Sequence, residues 1–202
     1  MNKIFAGLIF LLVKLNLNLF GIPIEIFPDF VAFIFIYFGI LELSRTTLIF
    51  SKALKPASFL IFYNLITSVL YLIPSMLSNY RFLTLFQLVS ELMLVYIFYI
   101  VILGLKEYQA KVSMRIETSE LEKRWKLISI FAVAAPLFSS HYYDPSLLSR
   151  LMNDYIDEFT YMALCIVIAS FIFSVINWFV LVYFAAEFNR VRATYNASRF
   201  AR

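Results

Sequence analysis

The chain is poor in the residues on which many catalytic and metal sites depend. It contains one cysteine, one histidine and four glycines among 202 residues. The single Cys165 excludes an intramolecular disulfide and any multi-cysteine metal site. The acidic residues and His141 match no zinc-site spacing, and no nucleophile elbow, His-Glu-x-x-His run or glycine-rich phosphate loop occurs. We therefore predict no catalytic residue, no cofactor and no metal.

Charge is also scarce, whereas hydrophobic residues are abundant. Charged residues make up 15% of the chain and hydrophobic residues 62%, against about 25% and about 45 to 50% in ordinary soluble domains. The hydrophobic residues fall in long blocks, and a helix of about 20 apolar residues crosses a hydrocarbon layer of about 30 Å. The sequence thus predicts an integral membrane protein whose main surroundings are the lipid bilayer.

The apolar blocks predict an all-α polytopic fold, with six transmembrane helices forming one domain over residues 1–202. Lys14, Asn16 and Asn18 interrupt the first block, so a half-inserted first segment is an alternative. The run after Lys3 also resembles a secretory signal, but no small-x-small cleavage site follows it. We expect a retained helix there. The six predicted helices span residues 4–21, 29–46, 57–77, 82–105, 125–142 and 159–187.

The distribution of cations orients these helices. With the N-terminus inside, fourteen of the 17 Lys and Arg residues lie on the cytoplasmic side, and positively charged loops resist translocation. The other three are Lys14, Arg81 and Arg150. We therefore expect both termini in the cytoplasm, with residues 188–202 as a basic tail. Because the cations form short clusters instead of one patch, we expect no nucleic-acid partner.

Two outer connections carry recognisable local signals. Gly21 and Pro23 predict the end of the first helix, and the alternation of isoleucine through residues 22–26 predicts an extended segment. Farther along, Asp144 and Pro145 have the order of an N-cap and a first helical residue. Apolar residues after them share one face, which predicts a short amphipathic helix on the outer interface over about residues 145–157.

Two ionisable residues are predicted near the middle of the bilayer. Glu91 lies about 13 Å from the outer start of the fourth block, and Lys14 about 15 Å from the inner start of the first, at 1.5 Å per residue. An isolated charge there costs at least about 2.5 to 3.5 kcal/mol. We predict an ion pair between them. The alternatives are that Lys14 extends to the interface and that Glu91 is protonated or hydrogen-bonded by neighbours.

Other polar residues recur at helical spacing inside the apolar blocks, giving stripes on the third, fourth and sixth helices. Such stripes are typical of interhelical hydrogen bonds, which stabilise packing in lipid. They are equally compatible with a polar cavity for a solute or ion. The candidate intramembrane polar site comprises Lys14, Asn18, Asn64, Gln87, Glu91, Ser170 and Ser174.

Residues 28–40 begin Pro-Asp-Phe-Val-Ala-Phe and continue as an apolar run. This segment resembles a family of uncharacterised bacterial multi-pass membrane proteins with a recurrent Pro-Asp-Phe-[Ile/Val]-Gly-Tyr pattern. Ala32 and Phe33 stand where that pattern favours glycine and tyrosine. The resemblance implies a location in the bacterial plasma membrane and makes Pro28, Asp29 and Phe30 a candidate structural motif. It implies no activity.

Three classes of function remain open. The absence of catalytic motifs favours a non-enzymatic accessory or interaction subunit, whose partner is another membrane protein or a second copy of the chain. The midplane charges, with Pro74 and Pro136 near the outer ends of their helices, favour a small solute or ion transporter. A membrane-embedded enzyme is the third class. A passage of water size to Glu91 would favour transport, and a dry packed seam would favour the accessory role.

Overall fold

The fold is helical, as the composition predicts. The computed structural model describes residues 1–13, 16–19, 22–25, 28–70, 80–112, 118–139 and 158–200. Within them a 3₁₀ segment, Leu48–Ala53, leads directly into the third helix, and two short strands, β1 (Asn16–Leu19) and β2 (Ile22–Glu25), follow the first. The α-helices are α1 (Asn2–Leu12), α2 (Asp29–Leu43), α3 (Leu54–Leu70), α4 (Tyr80–Val112), α5 (Thr118–Ser139) and α6 (Glu158–Phe200).

These helices form a closed ring. Each helix packs on the next along the chain, and α6 returns to pack on α1. The helices α1 and α2 run antiparallel, because Lys3 Nζ at the start of α1 lies 3.6 Å from Glu42 Oε2 near the end of α2. The ring closes where Asn196 Nδ2 donates to Asn2 Oδ1 at 2.9 Å. The beginning of α1 and the last turns of α6 therefore lie at the same end of the bundle.

The first segment differs from its prediction. The helix expected over residues 4–21 ends at Leu12, and β1 pairs antiparallel with β2, with Asn16 opposite Glu25. Asparagine side chains compete for backbone hydrogen bonds and disfavour helix interiors, and the alternation of Asn and Leu through residues 16–19 has the period of a strand. A helix of eleven residues is only about 16 Å long. This length agrees with the alternative of a first segment that is half-inserted in the bilayer. The extended segment expected after Gly21 is confirmed.

The later helices overlap the other five predicted blocks but extend beyond several of them. The α6 helix is 43 residues long, so residues 188–200, expected as a tail, continue the helix. Burial explains this extension, since Phe188, Val191 and Tyr195 are buried and recur on one helical face. The expected amphipathic helix over residues 145–157, and Pro74, lie outside the described residues.

Within the described part of the chain, three helical segments are long and apolar enough to cross a membrane: Leu48–Leu70, Leu85–Val112 and Phe171–Ser198. Many of their large hydrophobic side chains point away from the ring, among them Phe62 on α3, Leu85 on α4 and Phe171 on α6. Continuous apolar surface of this kind is rarely left in water. Lipid is the environment that suits this exposed apolar surface. The helices α1 and α2, at 11 and 15 residues, are shorter than the usual membrane span of about 20 residues.

Among the described residues, charged side chains concentrate at the end of the ring where residues 2 and 196 meet, hereafter the charged end. Lys106 on α4 donates to Glu122 Oε2 on α5 at 2.6 Å, and this hydrogen bond holds the pKa of Glu122 below its usual value. The Arg124 guanidinium lies 5.5 Å from the centre of the Tyr183 ring. By the cation distribution, the charged end is the side predicted to face the cytoplasm.

Candidate functional site

A partly open cavity of about 360 Å³ is lined by residues of α1, α2, α4, α5 and α6, and two of its lining side chains, Gln87 and Trp178, are exposed. Its lining includes Leu12, the last residue of α1, and Asp29, the first residue of α2. Because α1 starts and α2 ends at the charged end, these two residues place the cavity toward the opposite end of the bundle. The ring arrangement thus creates a partly open space in the part of the bundle farther from the cationic surface.

Polar side chains reach this cavity from three helices. Gln87, Ser90 and Glu91 line it from α4, Asp29 from α2 and Asn177 from α6. The three α4 residues share one face because positions three and four apart on a helix are neighbours. Among the described lining residues, the ionisable side chains are the carboxyl groups of Asp29 and Glu91. Both also interact with other residues of the chain, so a ligand would share them.

Aromatic rings form much of the remaining wall. The chain has two tryptophans, Trp125 on α5 and Trp178 on α6, and both line the cavity. Trp125 is held in position because its Nε1 donates to the carbonyl oxygen of Val95 at 2.9 Å, and its ring centre lies 5.1 Å from that of Tyr99. The wall therefore presents oriented aromatic surface and not just flexible aliphatic side chains.

Three phenylalanines close the cavity toward the charged end: Phe98, Phe184 and Phe188, hereafter the aromatic plug. Phe98 on α4 meets Phe184 and Phe188 on α6 edge to face, with ring centres 5.1 and 6.2 Å apart. All three rings are buried, and beyond them Leu105 and Tyr195 are buried as well. The bundle is consequently packed between the cavity and the charged end.

The structure brings part of the predicted polar site together. Gln87 and Glu91 share the cavity with Asp29, which was expected only as part of a structural motif. In that motif Pro28 is the N-cap and Asp29 the first helical residue of α2. Phe30 is half-buried on the first turn of α2. Asp29 therefore adds a second carboxyl group to the cavity.

Asn64, another predicted site residue, lies in a helix interface and not in the cavity lining. Its Nδ2 donates to the carbonyl oxygen of Leu60 at 2.9 Å and to Ser90 Oγ at 3.2 Å. The Tyr63 hydroxyl donates to the carbonyl oxygen of Phe86 at 2.9 Å in the same interface. At this position the interpretation as interhelical packing fits, because the Asn64 side chain joins α3 to α4 behind the cavity wall.

Replacing Asn64 with alanine is expected to lower the free energy of unfolding by about 0.6 to 1.7 kcal/mol, the range for interhelical hydrogen bonds in membranes. Thr67→Val is the matched control, because Thr67 Oγ1 donates to Asn64 O within α3. Denaturant unfolding in detergent micelles measures both variants. Equal losses would contradict an interhelical role for Asn64.

The side chains of the other predicted site residues lie outside the described part of the chain. Lys14 lies outside the described residues, so its ion pair with Glu91 stays a prediction. Asn18 belongs to β1, and Ser170 and Ser174 belong to α6, but their side chains lie outside the described part of the chain.

Sequence reasoning missed Ser90, Trp125 and Trp178 as cavity residues. Trp125 follows Arg124 directly, and tryptophan beside a cation is typical of a membrane interface. One available signal was helical spacing, since Ser90 lies three positions after Gln87 and Trp178 lies four positions after Ser174. Neither neighbour pattern separates a cavity wall from a lipid-facing surface.

Comparison with known proteins gives no relative: no protein-family model, no curated protein and no solved structure matches this chain. Within the described ranges, no group of three His, Cys, Asp or Glu side chains is arranged to hold a metal ion.

Proposed function

We propose that the chain is a multi-pass protein of the bacterial plasma membrane that transports a small solute, with the cavity as its substrate site. In this proposal the six segments form one bundle in the membrane, with α1 inserted only partway, and both termini face the cytoplasm. The charged end supports that orientation, because cation-rich segments resist translocation. The observation that carries the transport function is that Glu91 borders a cavity of about 360 Å³ between the helices.

The cavity favours transport over a purely structural role for Glu91. Ligand pockets typically have volumes of about 300 to 1,000 Å³ and combine apolar walls with a few polar groups. The cavity falls within that range, and its lining includes aromatic rings together with Gln87, Ser90 and Asn177. An accessory subunit with a dry seam needs no such space next to an intramembrane acid.

The one-sided closure also supports a carrier. Alternating access requires a central site that is shut off from at least one side of the membrane at a time. The aromatic plug supplies that barrier toward the charged end, since Phe184 and Phe188 are fully buried. In this proposal the plug opens when the solute is released to the cytoplasm.

Solvent access to Ser90 tests the proposal. In a Cys165→Ala background, which removes the native thiol, Ser90→Cys is expected to react with a membrane-impermeant thiol reagent in reconstituted vesicles. Cysteine is close to serine in size, and Ser90 lines the cavity. The matched control is Ile97→Cys on the same helix, because Ile97 is fully buried and should remain unlabelled. Labelling is measured by mass spectrometry of the intact protein.

The outcomes separate the two leading classes of function. Reaction at residue 90 that is faster than at residue 97 supports a water-accessible site. If residue 90 reacts no faster than the buried control, the cavity is sealed and the transport proposal fails, leaving the accessory role as the better explanation.

A further inference from the structure

We propose that the turn between α2 and α3, residues 45–55 (hereafter the basic turn), binds the headgroup of an anionic phospholipid in the leaflet at the charged end. The basic turn lies at that end because it directly follows α2, whose Glu42 is beside Lys3. The proposal combines three properties of the basic turn: cations that have no acidic partner, an exposed leucine beside them, and a backbone that is packed against α4. It does not depend on the solute that the cavity accepts.

The cations of the basic turn lack carboxylate partners. Arg45, Lys52 and Lys55 are exposed, and in the described part of the chain no Asp or Glu side chain lies at ion-pair distance from them. The sequence explains this, since no acidic residue occurs between Glu42 and Glu91. The basic turn therefore presents three positive charges that are free to meet an anion.

The lysines on α4 and α5 differ in this respect, because each of four has a glutamate partner. The distances from Nζ to the carboxylate oxygen are 2.6 Å for Lys106, Lys111 and Lys123 and 3.5 Å for Lys126. A carboxylate so close cancels most of the field of its lysine at longer range. An anion consequently meets less competition at the basic turn than along α4 and α5.

Leu48 adds an apolar contact beside these cations. Its side chain is 81% exposed, the largest exposure among the described large hydrophobic residues. Leu48 is the first residue of a segment that is long and apolar enough to cross a membrane, which places it at the boundary between headgroups and acyl chains. Interfacial segments bind lipid with apolar side chains among the acyl chains and cations beside the phosphates. A soluble anion would gain nothing from Leu48, so the combination fits a lipid.

Packing holds the basic turn on the bundle. A 3₁₀ helix has three residues per turn, so Phe50 and Ala53 share one face, and both are fully buried. Gly104 on α4 leaves room for the Phe50 ring, because a Cβ atom there would lie 2.5 Å from Phe50 Cε1. Leu48 and Lys52, on other faces, are exposed. The lipid-binding side chains thus extend from an ordered backbone, which lowers the entropic cost of binding.

Native mass spectrometry of the full chain in detergent micelles tests this proposal. The protein is titrated with dioleoyl phosphatidylglycerol, which is anionic, and with dioleoyl phosphatidylcholine, which has the same acyl chains and no net charge. We expect tighter binding of phosphatidylglycerol. The triple variant Arg45→Gln, Lys52→Gln and Lys55→Gln should bind it about tenfold or more weakly than the parent does. Leu48→Ser should weaken its binding by about threefold or more.

The matched control is the triple variant Lys111→Gln, Lys123→Gln and Lys126→Gln, which removes the same number of positive charges from the charged end. Because these lysines have glutamate partners and salt screens distant charges, the affinity for phosphatidylglycerol should stay within about threefold of the parent. Circular dichroism identifies any variant that does not fold. If the basic-turn triple does not fold, Lys52→Gln and Lys55→Gln replace it as single variants. Weaker binding in either then supports the proposal, and unchanged binding in both overturns it.

Loss of affinity that is confined to the basic-turn variants supports the proposal. Equal affinity for the two lipids overturns it, and so does an equal loss in both triple variants, which would show a dependence on net charge alone. If inorganic phosphate displaces phosphatidylglycerol at a similar concentration, the surface binds a soluble anion and the proposal fails as well. The cavity is tested separately by the labelling of Ser90→Cys, so either proposal can fail without the other.

Discussion

Replacing Gly7 with leucine is expected to separate α1 from α2 and to lower the free energy of unfolding by about 3 kcal/mol or more, at the upper end of overpacking effects. A Cβ atom at Gly7 would lie 2.6 Å from the carbonyl oxygen of Ala32 and 3.2 Å from the backbone nitrogen of Ile36. Backbone atoms cannot rotate away as a side chain can. The two helices must therefore move apart, which removes the close packing that associates helices in lipid.

Gly39 on α2 allows the same close approach of the two backbones from the other side of the interface. A Cβ at Gly39 would lie 2.8 Å from the backbone nitrogen of Ile4, so each helix contributes one glycine to the interface. Disulfide formation between Lys3→Cys and Glu42→Cys, in a Cys165→Ala background, measures whether α1 and α2 stay together. The control is Ala186→Leu, since Ala186 is exposed on α6. If Gly7→Leu preserved both crosslinking and stability, the tight α1–α2 interface would be disproved.

Truncating Phe184 of the aromatic plug to alanine is expected to cost about 3 to 5 kcal/mol in the free energy of unfolding, as for other fully buried phenylalanines. Phe184 has no exposed surface, and its ring contacts those of Phe98 and Phe188. Removing it leaves a void next to the cavity, because the packed layer toward the charged end cannot collapse around it.

A lipid-facing phenylalanine on the same helix provides the comparison. Phe179 is 51% exposed, and its replacement by alanine is expected to cost less than about 1 kcal/mol because lipid fills the vacated space. Denaturant unfolding in micelles measures both variants. Similar losses for Phe179→Ala and Phe184→Ala would mean that burial in the plug contributes nothing special to stability.

The positions of most helices could be predicted from the sequence because the bilayer imposes a length on apolar segments. The blocks that begin at residues 29, 82 and 159 correspond to helices that begin at residues 29, 80 and 158. The far ends were less predictable, since Val112 and Phe200 lie well beyond the apolar blocks. There the helix is held by packing between chain-distant residues, such as Tyr108 with Tyr195, whose ring centres are 4.7 Å apart. A single sequence does not reveal such pairs.

The site was predicted only in part, for a related reason. Helical spacing grouped Gln87 with Glu91 on one face, because both belong to one helix. It could not assign Asp29 or Trp125 to the same cavity, since that depends on how four other helices are arranged in a ring. Asn64 shows the opposite difficulty: its spacing resembles that of a cavity residue, yet its hydrogen bond to Ser90 places it in a helix interface.

The length of α6 has a mechanical consequence. At about 1.5 Å per residue, its 43 residues form a rod of about 64 Å, roughly twice the hydrocarbon thickness. The rod carries Phe184 near its middle and, toward its end, Arg192, whose guanidinium lies 4.3 Å from the centre of the Phe5 ring. Rotating it by about 5° about its midpoint would move each end by about 3 Å. A small rotation at the plug would therefore be amplified at the start of α1, so that the two ends of the chain move together.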